Sequence, residues 1–255
     1  MGTEFAGLSG IAHGQPVKQT TAVRLLQQLH EAENAASFLF EPEAPISYEA
    51  GQYLRYTLPH ANPDNRGVTR SFTIASFPAE PNIRVTTRLS EPSSSFKRAL
   101  AHLEPGAVLE TSGPFGRFVY SDTATPAVFI AGGIGITPFR SIIGDLAARK
   151  IRAKITLLYS NRTADIPFRS FLDGLLPDWS ELQPVYTVTQ PPEDWTGPRG
   201  RIDASFIERH VDDLAERVFF ISGPTALVEA MRRTLSEIGV DPARVKHEAF
   251  PGYDR

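Results

Sequence analysis

The stretch that most restricts what this chain can fold into runs from Thr125 to Ile143. Ala127-Val128-Phe129-Ile130-Ala131 is an unbroken apolar run of the kind buried on both faces of a sheet, and Phe139, Ile142, Ile143 and Leu146 then recur at helical spacing. Between them stands Gly132-Gly133-Ile134-Gly135-Ile136-Thr137-Pro138, so a strand feeds a helix through a glycine turn. Glycines allow positive φ and close approach, and Pro138 suits a first helical turn, where no N–H is required. Such a helix start, with free N–H groups and a positive dipole end, is a seat for a pyrophosphate. A plain tight turn has the same spacing, and the pattern is not the G-x-G-x-x-G dinucleotide fingerprint. The remainder of the chain decides between them.

With 255 residues and 41% apolar composition, the chain is long enough for two domains with real cores. A formal charge of −3 leaves no electrostatic footprint for nucleic acid. The absence of cysteine excludes disulfides, thiolate zinc, a cysteine nucleophile and a cysteine-ligated iron–sulfur cluster within these residues. The histidines, His13, His30, His60, His102, His210 and His247, are scattered without metal spacing, and no metal is expected. No run approaches the roughly 18 consecutive apolar residues of a membrane span, which leads to the expectation of a soluble, cytoplasmic protein. Residues 1–16, rich in glycine and small side chains, are set aside as a disordered or tag-derived tail.

Residues 17–121 alternate short strand-like runs with turn residues. Strands are expected at Thr20–Leu29, Ala36–Glu41, Tyr53–Leu58, Thr69–Ser76, Ile83–Arg88 and Val108–Thr111, with one helix at Ser94–Leu103. Strands without intervening helices predict an antiparallel barrel or sandwich. Within Arg70-Ser71-Phe72-Thr73, Arg70 could hold a phosphate bidentately, Phe72 could stack on an aromatic ligand, and Thr73 could donate to a ring nitrogen. The same residues also suit an ordinary solvated strand face. Ser94 and Ser95, before Phe96, cap the expected helix and need no ligand for that; a phosphate at the helix start is the alternative.

Residues 122–255 change texture to strand–helix alternation, which predicts a doubly wound parallel sheet. Strands are expected at Ala127–Ala131, Lys154–Tyr159, Leu182–Val188, Val218–Ser222 and Val245–Glu248, and helices at Pro138–Arg149, Phe168–Leu176, Ala204–His210 and Thr225–Ile238. The carboxyl ends of these strands carry the glycine turn, Ser160-Asn161-Arg162 and Ser222-Gly223-Pro224.

Taken together these stretches resemble the ferredoxin–NADP reductase superfamily of flavoproteins, in which an FAD-binding barrel precedes a nucleotide-binding α/β domain. The resemblance is carried by Gly51-Gln52-Tyr53, by Arg70-Ser71-Phe72-Thr73 against the family's Arg-x-Tyr-Ser/Thr, and by Gly106 with Gly113-Pro114-Phe115-Gly116 as its barrel-closing hairpin. It continues in the Gly-Gly-x-Gly-x-Thr-Pro loop, in Ser222-Gly223-Pro224 against a Cys-Gly-Pro turn, and in Glu248-Ala249-Phe250 against a Glu-x-Phe ending. Phe72 stands where Tyr is usual and keeps the ring but not the phenol; Ser222 stands where Cys is usual.

The resemblance implies that Arg70 binds an FAD phosphate, that Ser71 beside it also contacts the cofactor, that Phe72 packs on the flavin or its ribityl chain, and that Thr73 hydrogen-bonds flavin N5. The strand Val85-Thr86-Thr87-Arg88 would run past the isoalloxazine and offer backbone groups, and Ser94, Ser95 and Phe96 would bracket the pyrophosphate. Gly132, Gly133, Gly135, Thr137, Pro138, Gly223 and Pro224 would hold the dinucleotide, and Ser222 would sit beside the nicotinamide. Glu248 would relay a proton, and Phe250 or Tyr253 would cover the flavin; a surface acid and a pinned terminus are the plain alternatives. Ser160, Asn161 and Arg162 lack the acid that would repel a 2′-phosphate, the nearest being Asp165, which points to NADPH over NADH, although Arg162 also suits a solvated loop. Trp195-x-Gly197-x-x-Gly200-Arg201-Ile202 reads as structural.

The expected activity is FAD-dependent NAD(P)H oxidation, with hydride passing from nicotinamide C4 to flavin N5 and electrons then reaching a redox protein or small-molecule acceptor. A flavin-binding electron-transfer subunit or redox sensor without dinucleotide turnover, and a nucleotide-binding module without flavin, are the alternatives.

Overall fold

In a computed structural model, which describes residues 19–252, two sheets organise the chain. The first contains β1 (Gln19–Ala32), β2 (Ala35–Pro42), β3 (Tyr53–Thr57), β4 (Thr69–Thr73), β5 (Ile83–Arg88) and β6 (Val108–Phe115) in the antiparallel order β4-β3-β6-β1-β2-β5. Period-two alternation builds it: in β3, Leu54 and Tyr56 are buried while Arg55 is exposed. The inward faces make one core that includes Leu25, Phe38, Phe40, Leu54 and Tyr56. Past Thr73 the chain bends across to β5, Ala75 N–H donating to Arg84 O at 2.8 Å, so the sheet curls towards a barrel. The expected strand through Ser76 therefore ends early. Helix α1 (Ser95–Ala101) starts at Ser94, whose Oγ accepts from Lys97 N–H, and it buries Phe96 and Leu100 in the core. The barrel-closing hairpin expected around Gly113 is instead the end of β6, a single strand that pairs with β1 on one side and β3 on the other.

The second sheet contains β7 (Ala127–Gly132), β8 (Ile155–Asn161), β9 (Leu182–Val188), β10 (Val218–Pro224) and β11 (Val245–Phe250), all parallel, in the order β11-β10-β7-β8-β9. Every residue of β7 is buried, as an unbroken apolar run requires when both faces are covered. Helices α2 (Thr137–Ala148) and α3 (Arg169–Asp173) cover one face through Phe139, Ile142, Ile143 and Leu172. On the other face lie α4 (Ala204–His210) and α5 (Thr225–Glu237), through Phe206, Ile207, Val228 and Leu235. The helix expected at Phe168–Leu176 is shorter, because Gly174 ends α3 and Pro177 starts a separate 3-10 turn at Leu176–Asp178.

The chain runs from β7 outward to β8 and β9, then returns to β10 and β11 on the other side of β7. That reversal opens a crevice at the carboxyl end of β7, where α/β sheets bind ligands. Phe118 and Tyr120 of the connecting segment pack edge-on against Phe220, and Tyr120 also meets Phe129, so this segment is built into the core of the second sheet. Among the described residues no helix is long and apolar enough to cross a membrane, and no cluster of side chains could hold a metal ion.

Candidate functional site

At the end of β7 the three glycines of the turn do different work. Only Gly133 takes positive φ, at 51°. A Cβ on Gly135 would lie 2.2 Å from Ser222 O, so this glycine admits the backbone of β10. A Cβ on Gly132 would meet the Leu227 side chain at 2.6 Å. Positive φ is thus used at Gly133 alone, and Gly135 is required by the close approach of the β10 backbone. A 3-10 turn over Gly133–Ile136 intervenes before α2, Thr137 Oγ1 donates to Ile134 O at 3.1 Å, and Tyr159 Oη donates to Gly133 O at 3.0 Å.

Beside this turn lies a cleft of about 530 Å³ between the two sheets, within the usual range of small-molecule sites. One wall is Arg70 to Thr73 of β4; Thr86, Arg88, Ser93, Ser94 and Lys97 extend it. Ile134 and Thr137 come from the glycine turn and α2, and Glu248 to Gly252 close the far side. Phe72 is half-buried, 5.7 Å from Phe96 and 5.9 Å from Tyr56 between ring centres, so its ring is a shelf between barrel core and cleft.

Arg70 does more than its motif suggests. Its Nη1 donates to Arg66 O, Gly67 O and Thr69 O at 2.8, 2.8 and 2.9 Å, and its Nη2 to Asp64 Oδ1 at 2.6 Å. Its Nε is buried without a partner. Desolvation pushes the Asp64 carboxyl up, but the Arg66 N–H, Arg70 and Ser95 outweigh it and hold the group at about 2. Asp64 and Ser95 also bond reciprocally through Asp64 N–H to Ser95 Oγ (2.9 Å) and Ser95 N–H to Asp64 Oδ2 (3.1 Å), which ties this loop to α1.

The cleft is cationic at this end, where Arg66, Arg88 and Lys97 join Arg70. Burial, then repulsion from Arg66 and Arg88, pulls the Lys97 amine down to about 7. At the other end, burial pushes the Glu248 carboxyl up to about 7, and its Oε2 is buried without a hydrogen-bond partner.

A second cavity, of about 160 Å³, adjoins the first through Arg88 and Ile134, which line both. Gly132, Gly133, Ser160, Asn161, Arg162 and Pro224 form much of its wall. Asn161 Nδ2 is buried without a partner, and Arg162 Nε donates to Gln190 Oε1 at 2.9 Å. Asp165 turns its carboxylate to the barrel, Oδ2 accepting from Glu33 N–H at 2.5 Å.

The fold thus brings Arg70, Ser71, Phe72, Thr73, Thr86, Ser94, Thr137, Glu248 and Phe250 to one cleft, and Gly132, Gly133, Ser160, Asn161, Arg162 and Pro224 to the next. Others stand behind these walls. Val85 and Phe96 are core residues, Thr87 and Pro138 are buried, and Gly223 lies against Gly132. Ser222 is fully buried beneath Gly135, off both cavities, and its Oγ has no partner. Tyr253 lies outside the described residues. Sequence reasoning missed Arg66 and Lys97 as site residues, and it placed Arg88 beside the flavin only for its backbone, not its charge. Only the cationic ends of two motif segments, Arg88 after Val85-Thr86-Thr87 and Lys97 after Phe96, could have flagged two of these charges.

Residues 129–233 match the oxidoreductase NAD-binding domain family. The chain is 26% identical over 231 residues to NADH-cytochrome b5 reductase 1 of Mortierella alpina, an alignment covering 88% of this chain and 76% of that protein. It is 28% identical over 236 residues to the glycine betaine monooxygenase reductase subunit of Chromohalobacter salexigens, covering 89% of this chain and 63% of that one. With terephthalate 1,2-dioxygenase reductase component 2 of a Comamonas species it shares 29% identity over 199 residues, covering 76% and 56%. The chain therefore spans only part of these oxygenase reductases. Its fold superimposes on an Amycolatopsis cytochrome P450 reductase with a TM-score of 0.83 at 21% identity, covering 94% of this chain and 72% of that one. The cytochrome b5 reductase domain of Ulva prolifera nitrate reductase gives 0.79 at 22% identity, covering 90% and 97%.

Proposed function

We propose that this chain is a member of the ferredoxin–NADP reductase superfamily of flavoproteins, an FAD-dependent NAD(P)H oxidoreductase that delivers electrons to a redox-protein or small-molecule acceptor in the cytoplasm. One observation carries the reading: a large cleft and a smaller cavity meet at Arg88 and Ile134, so two ligands bound there adjoin at the end of β7.

The residues present fit both groups. A diphosphate suits the end lined by Arg66, Arg70, Arg88 and Lys97, where burial and the neighbouring Arg66 and Arg88 charges lower the Lys97 amine and an anion would offset that repulsion. Ser93 Oγ and Arg70 Nε, both buried and unpartnered, are hydrogen-bond donors on the same wall. When bound, FAD supplies the exchange between two-electron and one-electron chemistry. The chain supplies alignment: Phe72 offers an aromatic shelf, Thr73 a hydroxyl on the β4 wall, and Phe250 an aromatic on the opposite side. Glu248, with a carboxyl near neutrality, holds a proton at Oε2 below about pH 7.

For the dinucleotide, the glycine turn gives a close backbone approach, and Asn161 Nδ2 is a buried donor in want of an acceptor. Ser160 and Arg162 favour a 2′-phosphate. Asp165 is absent from the walls of the smaller cavity and turns Oδ2 to Glu33 N–H, away from where a ribose would lie. NADPH is therefore the proposed donor.

The test is anaerobic mixing of the FAD-loaded protein with NADPH and, separately, NADH, following loss of the oxidised flavin absorbance. Fast bleaching by NADPH is expected. Bleaching by NADH alone would keep the oxidoreductase and overturn the dinucleotide assignment; no bleaching by either would leave an electron-transfer subunit or sensor.

A further inference from the structure

Arg140 lies in α2 yet makes its bonds to the other sheet's unit. It is buried, and its Nη1 donates to Ala75 O at 2.6 Å and to Glu80 Oε1 at 2.7 Å. Its guanidinium carbon stands 5.1 Å from the Phe168 ring centre and 4.7 Å from that of Phe171, so aromatic faces from the segment after β8 hold it. Beside it, Ser141 Oγ donates to Ser76 O at 2.6 Å. One turn on, a Cβ at Gly144 would lie 2.2 Å from the Phe77 ring, so the helix passes tightly against this segment.

The barrel side is braced in turn. Ser76 Oγ accepts from Arg84 N–H at 3.0 Å, and the Arg84 guanidinium pairs with Glu31 at 2.8 Å. Glu31 also accepts from Ser37 Oγ at 2.6 Å. Two ion pairs, Arg140–Glu80 and Arg84–Glu31, are thus mostly shielded from water at one boundary. Shielded pairs add little net stability compared with apolar packing, but removing one partner is costly, so they fix geometry more than they add cohesion.

The placement matters because of what flanks it. Ala75 is two residues beyond Thr73, on the β4 wall of the cleft, and Arg140 is one helical turn beyond Thr137, on the opposite wall. We propose that Arg140 is a positioning residue that bolts these two walls together through Ala75 and Glu80, setting the separation at which flavin and nicotinamide meet. This rests on the oxidoreductase reading. Misplacement of reacting groups by about 1 Å is enough to cost on the order of 100-fold in rate.

The test compares wild type, Arg140→Met and Glu80→Gln as FAD-loaded proteins. Scanning calorimetry without nucleotide is expected to show one unfolding transition for wild type and two for Arg140→Met, each protein retaining one equivalent of FAD. Flavin bleaching at saturating NADPH should slow about 10-fold or more in Arg140→Met and less in Glu80→Gln, with KM changed less than about threefold. Wild-type rates in both variants overturn the proposal, as does a loss confined to KM. Split transitions with an unchanged rate leave a purely structural contact and also overturn it. If Arg140→Met does not fold, Glu80→Gln decides by the same criteria. If wild-type flavin is bleached by neither nucleotide, the oxidoreductase reading fails, while the calorimetry still judges whether Arg140 couples the walls.

Discussion

Ser222 and Glu248 are partners across β10 and β11, and each keeps a buried side-chain oxygen, Oγ and Oε2, without a hydrogen-bond partner. Burial raises the Glu248 carboxyl from its ordinary 4.5 to about 7. The folded protein therefore binds this proton more tightly than the unfolded chain does. Its destabilising effect is absent below about pH 4.5, grows as pH rises towards 7, and is constant above that, reaching about 3 kcal/mol. Glu248→Gln should accordingly be more stable than wild type at pH 8 and equal to it near pH 4. Thermal unfolding of the ligand-free proteins across that range checks it, and an equal difference at both ends would refute the assignment. Ser222→Ala, which removes an unsatisfied hydroxyl, should be neutral or stabilising by about 1 kcal/mol at every pH.

The glycine turn makes a ranked prediction. Gly135→Ala drives a Cβ into the Ser222 carbonyl, backbone that cannot move aside, and should cost at least about 3 kcal/mol. Gly133→Ala meets open space but carries positive φ, and should cost about 1–2 kcal/mol. Gly132→Ala meets only the end of the Leu227 side chain, which can rotate away, and should cost the least. Urea denaturation gives the order, and Gly135→Ala as the mildest of the three would contradict the geometry.

If FAD binds as proposed, Lys97 should set the pH dependence of its binding. A diphosphate beside it raises its proton affinity, so binding takes up a proton when the free amine is neutral. FAD affinity of the wild type should fall as pH rises above about 7, and Lys97→Met should bind about 10- to 100-fold more weakly with that dependence abolished. Calorimetric titration of the flavin-free protein in two buffers of different ionisation enthalpy measures both the affinity and the proton.

The proposed preference for NADPH predicts that Arg162 governs the choice of dinucleotide. Arg162→Ala should lower kcat/KM for NADPH about 10- to 100-fold and leave that for NADH within about threefold, because only one of them carries a 2′-phosphate. Equal losses for both would show that Arg162 and its bond to Gln190 merely shape the loop.

Elements whose signal is local were readable before any fold was known. Ile83–Arg88, Leu182–Val188 and Ala204–His210 fall where their periodicity and turn residues place them, and β7 follows from its unbroken apolar run. Motif segments were likewise visible as unusual residues at strand ends. What remained hidden depends on neighbours distant in sequence. Gly135 is glycine because Ser222 O lies against it, which nothing within the turn announces. Arg66, Arg88 and Lys97 come from three separate segments and act as one cationic end only because the curled sheet brings those segments to one cleft. Nothing in the spacing of the helix expected at Pro138–Arg149 marks Arg140, and Ala75 and Glu80 become its partners only once α2 is laid against the barrel. Backbone preference and side-chain periodicity are properties of adjacent residues, whereas the proximity of charges and the room left for a Cβ arise from packing between elements.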